Sequence, residues 1–246
     1  MREIGGDLAG RRIVLTGATG GVGRAVAQRL ALSDAELLLI GRRAHALEAL
    51  ASELRALAVV GDLTDRSFVS GLSGRVAELW GAAPDVLINN AGAFELAPLG
   101  NTDPVTFEKL LAVNLQAPFE LVRLWLPEMM ERGSGQIVNV GSIAGRIAFA
   151  GNAAYSASKF GLRGLHEVLV EELHGTGVRA TWVEPSAVDT QLWDRFEPDS
   201  RPDLPSRENM LAPEAVAEAV HFAVSRQDDV TIEEIVVRAN PRQAGS

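Results

Sequence analysis

The sequence predicts an α/β fold: a doubly wound parallel sheet with helices on both faces. One observation and two packing rules predict it. Short, almost continuously apolar runs alternate with longer helical stretches from one end of the chain to the other. Such runs belong to strands buried on both faces, as in parallel sheets. Right-handed crossovers then favour winding in both directions from the middle of the sheet, with ligands at the strands' C-terminal ends.

The elements follow in order. RRIVLTG (11–17) reads as a strand ending at a glycine turn, and 22–32 as a helix. ELLLI (36–40) is a second strand, 44–57 a second helix, and 58–60 a short strand closing on Gly61 and Asp62. Residues 66–80 are helical, and 85–88 form a strand that runs into Asn89, Asn90, Ala91 and Gly92. The stretch 104–132 reads as helix bent near Pro118 and Pro127, because proline removes a helical hydrogen bond. QIVNV (136–140) is a fifth strand, 152–174 a long helix and 178–183 a sixth strand. A helix at 213–225 and a strand at 231–237 complete the set. Residues 186–212, rich in Pro, Asp, Ser and Arg, are too long for a simple connection, so they read as a substrate loop or lid. A disordered insertion is the other reading of that stretch. No repeat or linker divides residues 1–246, which read as one domain.

Composition excludes several functions. The chain has no cysteine, which removes disulfides, thiolate metal sites and a cysteine nucleophile. The net charge of −9 argues against nucleic-acid binding. The N-terminal MREIGGDLAGRR has no apolar core of a signal peptide, and no apolar run approaches membrane-spanning length, so a cytoplasmic location is expected. The four histidines form no metal-ligand pair with a third partner, and no metal site is expected.

Two parts of the chain carry chemistry. Gly17, Thr19, Gly20, Gly21, Val22 and Gly23 lie between the first strand and first helix. Glycines there let the backbone approach a pyrophosphate, and a helix N-terminus favours an anion. The spacing is G-x3-G-x-G, and a tight turn without ligand fits it too. After the second strand come Arg42 and Arg43 rather than the acid that would bind a ribose. A guanidinium fork suits a 2′-phosphate, with Arg42 the first choice; an exposed basic helix start is the alternative. The second part is Tyr155, the chain's one tyrosine, placed four residues before Lys159. On a helix the two share a face. A neighbouring ammonium favours phenolate, which makes the phenol a usable acid or base. Moving a phenol from about 10 to about 7 requires roughly 4 kcal/mol. Taken alone, the pair fits a buried aromatic beside a snorkelling lysine equally well.

The motifs TGATGGVG, GDL, NNAG, VNL, VGS, YSASK and EPSAVDT occur in one order along the chain. In this the sequence resembles the short-chain dehydrogenase/reductase family over essentially its full length. The resemblance implies a Rossmann-type sheet of about seven strands in the order 3-2-1-4-5-6-7. It implies a nicotinamide dinucleotide as cofactor, for which Arg42 and Arg43 make NADP(H) the first choice and NAD(H) the second, and a small-molecule carbonyl or alcohol as substrate. By it, Gly17, Gly21 and Gly23 form the cofactor turn, Asp62 and Leu63 border the adenine, and Asn90, Ala91 and Gly92 lie beneath the cofactor. Ser142 binds the substrate oxygen, Tyr155 is the acid or base, and Lys159 binds the nicotinamide ribose and depresses the phenol's pKa. Asn114 holds a relay water, and Pro185, Val188 and Thr190 hold the carboxamide side. Substrate walls are expected from Phe149, Ser186 and Trp193, with Ala93, Phe94, Ile143, Gly151, Asn152, Ala187, Leu192 and Phe196 as further candidates. Arg146 and Arg195 fit either a substrate carboxylate or solvent. Ser186 stands where the family usually has glycine, and the last strand lacks the usual glycine-rich ending. A homodimer or homotetramer is expected, built on the two long helices. An NAD-dependent alcohol dehydrogenase and a non-catalytic dinucleotide sensor are the competing functions.

Overall fold

Period-two burial along the strands explains the layering. In β1 (Arg12–Thr16), Ile13 and Leu15 point to one side and Val14 to the other, and all three are fully buried. The computed structural model of the chain describes residues 8–240; the first part of the N-terminal reading and both ends of the 1–246 span lie outside them. The strands after β1 are β2 (Glu36–Gly41), β3 (Leu57–Val60), β4 (Val86–Asn89), β5 (Gly135–Val140), β6 (Val178–Pro185) and β7 (Glu234–Val237). They form one parallel seven-stranded sheet in the order β3-β2-β1-β4-β5-β6-β7, as expected.

One face buries Ile13, Leu15, Leu37, Leu39 and Ile88 under α1 (Gly21–Ala31), α2 (Ala44–Leu54) and α7 (Pro213–Val224). The other buries Val14, Leu38, Leu87 and Ile137 under α3 (Arg66–Trp80), α5 (Ala117–Arg132) and α6 (Ala153–Glu172). Two covered faces are why the strands read as unbroken apolar runs rather than alternating ones.

Local chemistry sets the helix ends. The Asp65 carboxylate caps α3 by accepting from the N–H groups of Ser67 and Phe68. Asp103 caps α4 (Pro104–Leu111), with Pro104 in its first turn. The second helix stops three residues earlier than expected, and Leu57 belongs to β3. Arg55 turns left-handed there and Ala56 donates back to the Ala51 carbonyl, a helix-ending motif that no glycine announces. The last strand is shorter than expected, because 231–233 lie outside its ladder with β6.

The stretch 104–132 is divided by a π turn over Ala112–Gln116, not at either proline. Pro118 sits in the first turn of α5, and α5 runs through Pro127 unbroken. The wider turn takes up the disruption at its own position, as a one-residue insertion in a helix does. Residues 186–212 are ordered into 3₁₀ helices at Gln191–Phe196, Pro198–Ser200 and Arg207–Asn209. Their ends are tied together, since Asp189 donates to the Leu211 carbonyl and Leu211 to the Ala187 carbonyl.

Candidate active site

The C-terminal ends of the strands open into a cleft of about 890 Å³. At one end lies the glycine turn. Gly17 has φ +67°, and a Cβ there would sit 2.7 Å from Ala91 Cα. A Cβ on Gly23 would overlap the Gly17 carbonyl and lie 2.7 Å from Asn90 Nδ2. The turn is locked to the end of β4. Thr16 Oγ1 accepts from Asn90 N and Ala91 N at 3.0 Å each, and Asn90 Nδ2 donates to the Thr16 carbonyl at 2.9 Å. No side chain caps the start of α1 and no acid occupies its first turn, so its free N–H groups and positive dipole end are left for an anion. This cradle fits a dinucleotide pyrophosphate.

Arg42 and Arg43 line the next part of the cleft with Asp62 and Leu63. The two arginines differ in freedom. Arg43 donates to Thr19 Oγ1 and to the Thr19 carbonyl, whereas Arg42 is well exposed and meets Asp62 at only 3.4 Å. Burial acts to raise the Asp62 carboxyl, but hydrogen bonds from Thr64 and the charge of Arg42 outweigh it and hold it below the usual carboxylate range.

Beyond Asn90, Ala91 and Gly92 the cleft is lined by Ser142, Tyr155 and Lys159, together with Pro185, Ser186, Val188, Thr190, Phe149 and Trp193. Ser142 caps the 3₁₀ turn Ile143–Gly145 by accepting from Ala144 N at 3.1 Å, and its hydroxyl is the one group that favours the Tyr155 phenolate. Lys159 is 4 % exposed and donates to the Val140 carbonyl at 3.0 Å, with its nitrogen 5.9 Å from the Tyr155 ring centre. Burial pushes the ammonium down to about 8. The phenol departs from expectation: burial pushes it up, with only the Ser142 hydrogen bond opposing. Desolvation outweighs that single opposing contribution, and Lys159 is itself penalised by enclosure.

Asn114 does not line the cleft; it lies in the π turn, fully buried. Its amide nitrogen donates to the Ala93 carbonyl and to Ser158 Oγ at 2.9 Å each, and its oxygen accepts from Ala93 N at 2.8 Å. Ser158 in turn donates to the Tyr155 carbonyl at 2.7 Å. Both amide hydrogens are therefore committed to protein. Pro118 has no N–H to offer the Asn114 backbone carbonyl four residues back, so the ordinary helical bond to that carbonyl is missing.

Gly151 and Phe196 are not on the cleft surface, and neither are Arg146 and Arg195. Arg146 pairs with Glu184 and Glu234, and Arg195 with Glu95. Ser186 donates its N–H to the Val237 carbonyl and accepts from Ala239 N at 3.1 Å, which fastens the segment after β7 to the cleft wall. Sequence reasoning missed Leu96, Val113, Leu204, Pro205, Asn209 and Ala239 as lining residues. Only the length of 186–212 pointed towards three of them.

The family model for short chain dehydrogenases matches residues 11–201. The ketoacyl reductase HetN of Nostoc sp. is 35% identical over 239 residues, covering 95% of this chain and 80% of that protein. D-threitol dehydrogenase of Mycolicibacterium smegmatis is 33% identical over 229 residues, covering 89% and 87%. Among solved structures, a metagenomic short-chain oxidoreductase in complex with NADP superposes with a TM-score of 0.82 at 31% identity, covering 96% of this chain and all of that one. A sheet of this order, a glycine cradle at its middle and a match over most of the length agree: the chain belongs to the short-chain dehydrogenase/reductase family.

Proposed function

We propose that the protein is an NADP(H)-dependent oxidoreductase acting on a carbonyl/secondary alcohol pair, with Tyr155 as general acid or base. The observation that carries this reading is the convergence of Ser142, Tyr155 and Lys159 on one cleft with the glycine cradle. A bound nicotinamide dinucleotide supplies or accepts the hydride. The chain's own residues orient the reactants and manage the proton. In reduction, the Ser142 and Tyr155 hydroxyls hydrogen-bond the carbonyl oxygen as it gains charge. Tyr155 gives up its proton, and the Lys159 ammonium stabilises the phenolate left behind. Asn114 sets the start of α6 through Ser158, and its backbone carbonyl is the acceptor for a relay water. Residues 186–212 act as the lid over the substrate.

Arg42 reads the 2′-phosphate, which its loose pairing with Asp62 supports. NADP in the metagenomic relative agrees with that choice. The deciding measurement is fluorescence titration with NADPH and NADH at one salt concentration, on the protein and on Arg42→Ala. NADPH is expected to bind more tightly, and the substitution to remove most of the difference. Equal affinities would transfer the reading to NAD, and no binding of either would end it.

The helices α4, α5 and α6 expose Val105, Phe119, Phe160 and Val168, which supports assembly into a homodimer or homotetramer through that side. Light scattering that returns a monomer would exclude it. Among the described residues no helix is long and apolar enough to cross a membrane.

A further inference from the structure

We infer that the substrate end of the cleft selects an uncharged carbonyl compound bearing a flat apolar group, and that Phe94 and Trp193 select it. The inference rests on the oxidoreductase reading above. Phe94 meets the Tyr155 ring edge-on, with ring centres 5.0 Å apart and planes at 81°. It also touches Trp193 at 4.9 Å and Phe196 at 5.4 Å. Phe94 follows β4, whereas Trp193 and Phe196 come from the 3₁₀ helix Gln191–Phe196. Two distant parts of the chain thus place an aromatic cluster against the phenol that handles the proton. Aromatic rings prefer such edge and offset contacts, and Phe94 and Trp193 face the cleft, where a substrate ring adds a further one. At the mouth, Phe149 and Leu192 remain about half exposed, apolar surface that a ligand would cover.

The charges point the same way. Arg195 is engaged by the Glu95 carboxylate at 2.8 Å and the Phe94 carbonyl, and lies over the Phe196 ring. Arg146 is held by Glu184 and Glu234. Lys159 is buried against a carbonyl. Among the described residues lining this end, the remaining charged side chain is Asp203, whose sign repels a carboxylate and which pairs with Arg201. A substrate carboxylate would lose its hydration here and gain no cation, and a polyol would bury hydroxyls against rings. The preference is opposite to the one named for the threitol dehydrogenase relative.

The test compares three carbonyls with NADPH: an aryl methyl ketone, the same ketone with a para-carboxylate, and dihydroxyacetone. The aryl ketone is expected to exceed both others in kcat/KM by about tenfold or more. Trp193→Ala is expected to lower the ratio of aryl ketone to dihydroxyacetone about tenfold, chiefly through KM, and Trp193→Phe to retain it. Phe94→Leu should lower that ratio as well. Equal or better turnover of the carboxylated ketone or of dihydroxyacetone overturns the inference. Turnover of none of the three would count against the oxidoreductase reading instead. Calorimetric binding of the same three compounds then decides the inference separately: a retained preference for the aryl ketone supports it, and its loss overturns it.

Discussion

Tyr155 is raised by burial and restrained by one hydroxyl, so its reactivity depends on what the cleft holds. Tyr155→Phe should cut turnover by roughly 10² to 10⁴ while leaving dinucleotide affinity nearly unchanged, checked by pairing steady-state rates with fluorescence titration. Lys159 gives a sharper test because its ammonium titrates at about 8 rather than 10.5. Below that pH the charge is present for a ribose to use; above it the charge is gone. Dinucleotide affinity should therefore be level up to about pH 8 and fall beyond it, and Lys159→Met should show weak affinity without the break. The shared face of Tyr155 and Lys159 was legible because it depends only on helical spacing. The partners of Asn114 were not, since Ala93 and Ser158 come from other elements and meet it only after folding.

Elements bring these groups together, and the glycine turn tolerates the least change. Gly23→Ala should abolish measurable dinucleotide binding, because a methyl group there meets the Gly17 carbonyl and Asn90 at once. Thermal melting with and without NADPH would show the loss as a vanished ligand-induced shift in Tm. The lid has its own fastening: Arg207 pairs with Asp189 and, at 2.6 Å, with Asp194. Arg207→Ala should speed proteolysis within 190–207 and raise KM more than it lowers kcat. Strands and most helices were readable from apolar period and glycine punctuation. The π turn was hidden, because its i→i+5 pairing leaves no residue signature while Pro118 and Pro127 give strong false ones. The arginines were unreadable for a related reason: the carboxylates that hold Arg146 and Arg195 lie about 40 to 100 residues away.

Across the whole molecule, a doubly wound sheet followed from connection rules and its strand order from the family resemblance, but the polar network behind the cleft followed from neither. Glu184 on β6 is completely buried and accepts from Arg146, Arg163 and Arg238. Nearby, His166 on α6 accepts from Asn139 on β5 and stacks near Trp182. Burial, helped by the charge of Arg163, pushes His166 down to about 4. Its unfolded value is near ~6.5, so between those pH values the unfolded chain binds the extra proton. Stability should thus rise with pH through that window, by up to roughly 3 kcal/mol from this one group. Urea melts at pH 4.5 and 7 should show His166→Gln losing most of that difference; an unchanged difference would exclude His166 as the cause.

The burial of Lys159 has a practical consequence. The chain contains one other lysine, Lys109, and it is exposed. An amine-directed acylating reagent therefore has a surface lysine as internal standard and a buried one that reports on the cleft. Because Lys159 loses its proton near pH 8, it is chemically competent there and is limited only by access. The ratio of label at the two positions, read by mass spectrometry, becomes a measure of how far a bound ligand shields the cleft.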